Sequence, residues 1–166
     1  MQPKCTMTFI VRQYSENDWD QVKEIILNAE NFGSAFMKSE KLRINTFLKS
    51  PDYGQVIVIE EPATKTILGY AAISFQWSAL VIESIITHHN YLRSGIGTKM
   101  IDWIKHTGQE HPDIDVIRVD TGDFMHYAQK FYLACGFTIS GFVQHYLSWS
   151  NNQVFFTFQI RKERAE

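Results

Sequence analysis

The sequence predicts one α/β domain over residues 1–166, built on a mixed, mostly antiparallel sheet with helices on both faces. Two observations predict this class. Runs of β-branched and aromatic residues alternate with stretches in which apolar residues recur at helical spacing, in the order β-α-α-β-β-β-α-β-α-β-β. The chain has 166 residues and is 45% apolar, which is enough to build the core of one domain.

Composition narrows the class of function. The net charge is −2, from 16 basic and 18 acidic side chains, and no basic run suggests nucleic acid or an anionic membrane surface. No apolar stretch is long enough to span a membrane, and the N-terminus has no apolar core typical of a signal peptide. We therefore expect a cytoplasmic protein. Cys5 and Cys135 lack metal-ligand spacing, and His88 and His89, as neighbours on an extended chain, should point apart, so we expect no metal site.

The first half of the chain predicts a strand, two helices, a hairpin and a further strand. Helical spacing supports the first helix, residues 31–34 break it, and Pro51 stops the second helix. A turn at residues 61–65 joins the hairpin strands. The predicted bounds are Thr8–Arg12 for the strand, Trp19–Ala29 and Glu40–Leu48 for the helices, Val56–Ile59 and Ile67–Gln76 for the hairpin, and Leu80–Thr87 for the last strand.

The second half predicts a helix, a strand, another helix and a closing hairpin. Apolar spacing marks the helices, and Gly136 provides a C-terminal stop for the second of them. Residues 150–152 form the turn of the hairpin. The predicted bounds are Ile96–Gly108, Ile114–Asp120, Ala128–Cys135, Phe137–Trp149 and Val154–Arg161.

The pair Gly95 and Gly97 opens a helix, which is typical of a phosphate-binding loop. A P-loop fails, because Gly97-Thr98-Lys99 has the wrong order and lacks the earlier glycine. A dinucleotide fingerprint would need a third glycine where Met100 stands, and residues 87–94 separate the glycines from the strand. Asp120 lies where a ribose-binding acid would be expected, but it does not rescue that interpretation.

The neighbouring residues favour a third kind of phosphate site. The segment VIESIITHHNYLRSGIGTKMI, Val81 to Ile101, resembles motif A of the GNAT N-acetyltransferase superfamily. The segment AQKFYLACGF, Ala128 to Phe137, resembles its motif B. The resemblance covers roughly Gly69 to Phe142, and the order of elements outside it is compatible. It implies a GNAT-like fold that binds acetyl-CoA as co-substrate.

The resemblance implies that backbone amides of this loop hold the pyrophosphate of acetyl-CoA. Glycines allow close approach of the backbone to phosphate oxygens, and the helix N-terminus adds a positive partial charge. The end of the preceding strand should offer backbone groups to the pantetheine arm. Thr98 and Lys99 could equally be a polar pair facing solvent. The implied residues are Ile85, Ile86, Thr87, Arg93, Ser94, Gly95, Ile96, Gly97, Thr98 and Lys99.

Two positions depart from the family pattern. Leu92 stands where the family has arginine or glutamine, and Arg93 follows it, so one side-chain contact is lost or rerouted while the backbone cradle remains. Met125 stands where motif B commonly has asparagine, which leaves the loop geometry after the fifth strand open.

The resemblance further implies direct transfer of acetyl from the thioester to a primary amine. That amine must lose a proton, and the thiolate of CoA must be protonated or solvated. Tyr132 aligns with a motif-B tyrosine that often serves as the donor, although its spacing also suits a core tyrosine. Glu83, within an apolar strand, is our first candidate for the base, and Asp120 is the second. Glu83 could instead be a solvated sheet-face carboxylate, and Asp120 a loop cap.

The acceptor is not evident from the sequence. Phe32 and Phe36 lie where relatives border the acceptor, but a helix-packing loop fits them equally well. The principal hypothesis is an N-acetyltransferase acting on a primary amine of a small molecule or protein. The alternative is a CoA-binding or acyl-CoA-binding sensor without catalysis, and a third option is transfer of a longer acyl group. The family frequently dimerises, so a homodimer is open.

Overall fold

The computed structural model describes residues 8–30, 32–148 and 150–160. Its elements follow the predicted order, with two short 3-10 helices added at Glu16–Asp18 and His89–Tyr91. The bounds are β1 (Ile10–Gln13), α1 (Trp19–Asn28), α2 (Ser34–Lys49), β2 (Gly54–Glu61), β3 (Thr66–Gln76), β4 (Ala79–Thr87), α3 (Ile96–Glu110), β5 (Val116–Gly122), α4 (His126–Ala134), β6 (Thr138–Ser148) and β7 (Asn151–Gln159).

The strands form a seven-stranded sheet in the order β1-β2-β3-β4-β5-β7-β6. Strands β4 and β5 pair in parallel, whereas β1 with β2, β5 with β7 and β6 with β7 pair antiparallel. The predicted class, an α/β fold on a mixed and mostly antiparallel sheet, is confirmed.

The chain forms two compact units, and β3, β4 and α3 contribute residues to both. The first unit comprises Met1–Ala72 and Ser84–Met100, and Val22, Ile26, Ile44, Val58 and Tyr70 are among its buried core residues. The second comprises Ile73–Glu83 and Ile101–Glu166, and its buried residues include Leu80, Ile117, Phe137, Phe156 and Ile160. The single-domain assignment stays a prediction. No helix in the described part of the chain is long and apolar enough to cross a membrane.

The parallel ladder between β4 and β5 is short. It begins at the pair Ala79–Val116 and ends at Ile82–Val119, although both strands continue further. Beyond that point β5 keeps its partner on the other side, because Asp120 and Gly122 still pair with β7. The backbone of β4 from Glu83 onward therefore has no ladder partner on the β5 side among the described residues.

The predicted start of the second helix is wrong. Helix α2 begins at Ser34 and not at Glu40. Gly33 caps it in an extended conformation, and its carbonyl accepts a hydrogen bond of 3.1 Å from the amide of Met37. Phe32 and Phe36 pack against the core of the first unit. This apolar contact stabilises the first turns, for which the sequence offers no side-chain cap.

The predicted end of the fifth strand is also wrong. Strand β5 runs to Gly122, so Asp120 lies within the strand and does not close it. Pairing with β7 extends the strand. Ile114 lies before the strand, and its backbone N–H donates a hydrogen bond to the His111 carbonyl. Four predicted positions, namely Cys5, Asn31, Trp149 and Arg161, lie outside the described residues.

A buried ionic network joins β1 to β2. The Arg12 guanidinium donates to both carboxylate oxygens of Asp18 at 2.8 Å and, through Nε, to Glu60 at 2.8 Å. Asp18 and Glu60 have side chains only 7% and 5% exposed. Burial opposes the charge of Asp18, but hydrogen bonds from Arg12 and Ser15 hold its pKa below the usual value. The bond from Arg12 likewise lowers the pKa of Glu60 against the effect of burial.

Arg12→Met should destabilise the protein by about 3 kcal/mol, because it leaves two buried carboxylates without their shared partner. Both carboxylates have lowered pKa values in the folded state. The stabilisation is therefore present above the pKa values of the unfolded chain, near 4, and is lost as the pH falls through the folded values. Urea denaturation between pH 7 and pH 2 should give a flatter dependence of stability on pH in the variant.

Lys65→Met is the matched control, since Lys65 reaches Glu60 at 3.2 Å from a side chain that is 74% exposed. Exposed ion pairs contribute about 0–1 kcal/mol. Equal losses for the two variants would contradict the assignment of the network to Arg12.

Candidate active site

The loop before α3 has a backbone conformation that suits anion binding. Arg93 and Gly95 both adopt left-handed backbone conformations, with φ of 60° and 86°. Residues 92–95 are exposed, and a Cβ on Gly95 would meet nothing within 4 Å. Ser94 between them has no positive φ, and residues of alternating hand turn successive backbone N–H groups toward one side. The loop therefore has room for a ligand against its backbone.

The first turn of α3 supplies donors to the same loop. The amide of Lys99 bonds to the Gly95 carbonyl at 3.0 Å, whereas those of Ile96, Gly97 and Thr98 have no acceptor among the described residues. The first turn carries no acidic residue. Thr98 and Lys99 are exposed. Unpaired amides and the helix dipole together favour an anion here.

Close packing within the first unit seats the start of α3. A Cβ at Gly69 of β3 would lie 3.1 Å from Ile96, 3.2 Å from Met100 and 2.9 Å from the Ile86 carbonyl. Any side chain at this position would push the helix off the strand. The absence of a side chain at Gly69 thus allows the start of α3 to pack directly against β3 and β4.

The segment leading into the loop differs from expectation at the two histidines. The rings of His88 and His89 stack with centroids 4.6 Å apart, so the prediction that they point apart is wrong. A short 3-10 turn begins here, and the ring of His88 accepts a hydrogen bond of 3.2 Å from the Asn90 amide. The described residues contain no group of three or more potential metal ligands. Ser94 then donates to the Tyr91 carbonyl and tightens the loop.

The last residues of β4 alternate between the two faces of the sheet. Ile86 is buried, while Ile85 and Thr87 are half-buried on the same face as Glu83. On the β3 side the strand end is held by the bond from the His88 amide to the Leu68 carbonyl, at 2.8 Å. The parallel ladder with β5 ends before these residues, at Ile82–Val119.

Glu83 is half-buried and anchored by neighbours on β3. Its Oε1 accepts hydrogen bonds from Ser74 at 2.5 Å and from Gln76 at 3.3 Å. Gln76 in turn accepts from Arg118 of β5 at 3.0 Å. The side chain that we selected from the sequence is thus held in place, while sequence reasoning missed Ser74, Gln76 and Arg118.

Asp120 lies close to Glu83 at the end of the ladder. Burial raises the pKa of Asp120 above its usual value, the negative charge of Glu83 raises it further, and Arg118 partly offsets both. The structure thus brings together the two carboxylates named as candidate bases. A carboxylate whose pKa is raised is a better proton acceptor near neutral pH.

Tyr132 is a buried tyrosine whose ring is held by aromatic neighbours. The residue is 5% exposed, and its ring packs against Phe137 and Phe156. No group in the described ranges hydrogen-bonds its hydroxyl. Burial and the charge of Asp120 raise the pKa of Tyr132 well above its usual value. The phenol therefore stays protonated.

The loop after β5 resolves the question raised by Met125. The side-chain amide of Gln129 donates to the carbonyls of Gly122 at 3.1 Å and Asp123 at 2.9 Å. Asn152 of β7 donates to the Asp123 carboxylate at 2.8 Å. Two amide side chains outside the expected position therefore order the start of α4, which Met125 precedes without a side-chain cap.

Phe32 and Phe36, the predicted acceptor wall, contact each other. Their rings stack with centroids 4.2 Å apart, and both are half-buried against the core of the first unit. Packing buries part of the surface of each ring, and the exposed remainder is available to a ligand.

Glu40 is the functional candidate that sequence reasoning missed. It is completely buried, on the face of α2 that also carries Phe36 and Ile44. The spacing 36, 40, 44 places a carboxylate within an apolar helical stripe, which is the signal that could have identified it. The predicted helix began at Glu40, and acidic residues are common in the first turn of a helix. The buried position of Glu40 was therefore not recognised.

The sequence profile described as "Acetyltransferase (GNAT) family" matches residues 19–137, more than half of the chain. The chain belongs to the GNAT acetyltransferase family. It is thus related to acyltransferases that use acetyl-CoA as the acetyl donor. No curated protein matches the chain.

Solved structures share the GNAT fold. A candidate GNAT acetyltransferase from Desulfovibrio desulfuricans aligns with a TM-score of 0.82 at 12% identity, over 92% of this chain and 99% of its own. The ribosomal-protein-S18-alanine N-acetyltransferase of Escherichia coli aligns at 0.77 and 11%, over 96% and 99%. A candidate streptothricin acetyltransferase from Bacillus anthracis, solved with acetyl coenzyme A, aligns at 0.74 and 20%, over 92% and 100%.

Gly95→Ala should weaken acetyl-CoA binding at least several-fold, measured by isothermal titration calorimetry. An alanine at this left-handed position costs about 1 kcal/mol and turns the loop amides away from one another. Gly136→Ala is the matched control, because Gly136 has φ of 85° in the turn after α4. Both variants should lose similar stability, and only Gly95→Ala should lose affinity. Equal affinities would contradict the cradle.

Proposed function

We propose that this chain is an N-acetyltransferase that moves the acetyl group of acetyl-CoA directly to a primary amine. Family membership supports the acetyl-transfer class. The observation that carries the proposal is the divergence of β4 from β5 after Ile82–Val119, with Glu83 and Asp120 at the point of divergence. An amine needs a base, and two carboxylates at the end of a ladder are suited to that task.

The pyrophosphate of the co-substrate is assigned to the loop before α3. Its left-handed residues, Arg93 and Gly95, and the amides of Ile96, Gly97 and Thr98 fit a doubly charged group. Arg93 and Lys99, both exposed, add positive charge. Leu92 is 63% exposed and contributes no charge, so the fit rests on backbone groups. Bound acetyl-CoA supplies the acetyl group as an activated thioester.

The strand end assigned to the pantetheine arm also uses backbone. The ladder with β5 ends before Ile85 and Thr87. Their backbone N–H and C=O groups on that side can therefore pair with amides of an extended ligand. Ser94, Ile86 and Ile96 contribute main-chain atoms or packing and need no reactive side chain. An N–H of β4 is suited to polarise a carbonyl oxygen of the substrate.

Glu83 is our choice as the group that removes the amine proton. Hydrogen bonds from Ser74 and Gln76 orient its carboxylate. Burial and the charge of Glu83 raise the pKa of the neighbouring Asp120, which is the second candidate for the base.

Tyr132 is our choice as the proton donor to the departing sulfur. Its phenol is protonated over the physiological range, and no hydrogen bond within the described residues occupies its hydroxyl. Phe137 and Phe156 hold the ring, so its position does not depend on a hydrogen bond that would compete with proton transfer.

The amine belongs to a small molecule or a protein, and Phe32 with Phe36 is proposed as one wall of its site. A cytoplasmic location is proposed from the sequence alone. The homodimer stays a prediction, to which edge strand β6 contributes exposed Ile139 and Phe142.

The direct test is titration of the protein with acetyl-CoA, followed by thiol release across a panel of primary amines. Saturable binding with amine-dependent release of CoA is expected. Binding without release for any amine would favour the sensor instead, and release only with longer acyl-CoA donors would favour transfer of another acyl group.

Tyr132→Phe should lower kcat by about 100-fold while the Kd for acetyl-CoA changes by less than about twofold, because only the donated proton is lost. Tyr127→Phe is the matched control, since Tyr127 is 79% exposed on the same helix, and it should keep full activity. If Tyr132→Phe retained wild-type kcat across pH 6–10, the donor assignment would be wrong.

Glu83→Gln should lower kcat by about 100-fold near pH 7. The deficit should shrink toward pH 10, where the amine loses its proton unaided. The substitution also removes the negative charge of Glu83, which raises the pKa of Asp120. If Asp120 supports the residual rate, that rate should increase with pH around a lower apparent pKa. A constant deficit at all pH values would point to a structural role.

A further inference from the structure

Glu40 is a carboxylate without any solvent contact in the core of the first unit. Three donors meet it: Arg43 from the same helix, the Tyr70 hydroxyl at 3.1 Å and the Ser84 hydroxyl at 2.6 Å. Tyr70 and Ser84 are themselves buried. Without these partners a buried charge would be strongly destabilising, so the cluster is complete as built.

Stability alone does not account for such a cluster. Replacing a buried ionic group by an apolar side chain of similar volume is often neutral or stabilising. The core around Glu40 is apolar and includes Ile44, which lies one turn further along α2. What the carboxylate provides and an apolar residue would not is directional bonding, and two of its bonds reach other elements, β3 and β4.

Ser84 lies just beyond the point at which β4 loses its ladder with β5. The ladder with β5 ends at Ile82, so the chain from Glu83 onward has lost one of its two lateral restraints. Ser84 is the next residue, and its side chain points to the buried face while that of Glu83 points to the opposite face. The bond from Ser84 to Glu40 restrains the backbone where the missing ladder no longer does.

We propose that Glu40 is a positioning residue that, through Ser84, fixes the β4 backbone so that Glu83 is held in place for proton transfer. The inference rests on the proposed function, in which Glu83 is the base. A misplacement of about 1 Å can lower a catalysed rate by about 100-fold. Tyr70 bonds to the same carboxylate but lies on β3, and it does not adjoin Glu83 in the chain.

Ser84→Ala and Tyr70→Phe form a matched pair. Each removes one hydroxyl and one hydrogen bond to the same buried carboxylate, so each should lower the melting temperature by a similar amount. Ser84→Ala should lower kcat about tenfold and shift the midpoint of the pH–rate profile, while the Kd for acetyl-CoA stays unchanged. Tyr70→Phe should keep kcat within about twofold. Ser84→Thr, which retains the hydroxyl, should restore most of the rate.

A double-mutant cycle tests the path. If Glu40 acts through Ser84, then Glu40→Gln with Ser84→Ala should lose no more kcat than the more impaired single variant. Losses of kcat that are equal for Ser84→Ala and Tyr70→Phe, and that follow the melting temperature, would overturn the positioning role.

The wild type and Glu83→Gln are measured in the same assay, which separates the two proposals. If the wild type transfers acetyl and Glu83→Gln is impaired, equal effects at Ser84 and Tyr70 overturn the positioning role alone. An inert wild type, or a fully active Glu83→Gln, overturns the proposed function and the positioning role with it.

Discussion

The divergence of two parallel strands is the constraint on which the candidate site depends. Up to Ile82 and Val119, the backbone groups of β4 and β5 satisfy each other. Beyond that pair β5 remains bonded to β7, whereas the β5 side of β4 loses its partner. Buried backbone groups cannot stay unpaired without cost. An unpaired strand edge of this kind favours water or an extended ligand that supplies its own amides.

The pKa values of Asp120 and Tyr132 are shifted in the same direction. Burial and then the charge of Glu83 raise the pKa of Asp120, and burial and then the charge of Asp120 raise the pKa of Tyr132. Each effect favours the protonated form of the affected group. The phenol therefore keeps its proton, and the carboxylate of Asp120 binds a proton more readily than that of an exposed aspartate. The same arrangement places like charges together, which lowers the stability of the folded state at neutral pH and is typical of functional sites.

Much of the fold could be predicted from the sequence, because element type depends on local periodicity. The order of strands and helices followed from spacing alone. Boundaries that depend on tertiary contacts did not: α2 starts at Ser34 because Phe36 meets a core formed by distant residues, and β5 runs past Asp120 because β7 continues beside it. Local patterns do not encode partners that are far away in the chain.

The candidate site divides along the same line. Glu83, Asp120 and Tyr132 could be selected because their residue types stand out against apolar surroundings or within a motif. The residues that hold them could not, since Ser74 and Gln76 are ordinary strand residues until the register with Glu83 is known. Chemistry-bearing groups are visible in a sequence, whereas their supports become visible only in three dimensions.

The departure at Leu92 shows what a backbone-built cradle requires of its sequence. Its side chain points to solvent and has no charge, yet the loop keeps its left-handed turns at Arg93 and Gly95. Conformation, and not the identity of that side chain, aligns the amides. An arginine there would add charge outside the cradle, where solvent screens it. Substitution at Leu92 should therefore be milder than any change that forces Gly95 out of its conformation, because only the latter removes donors from the ligand.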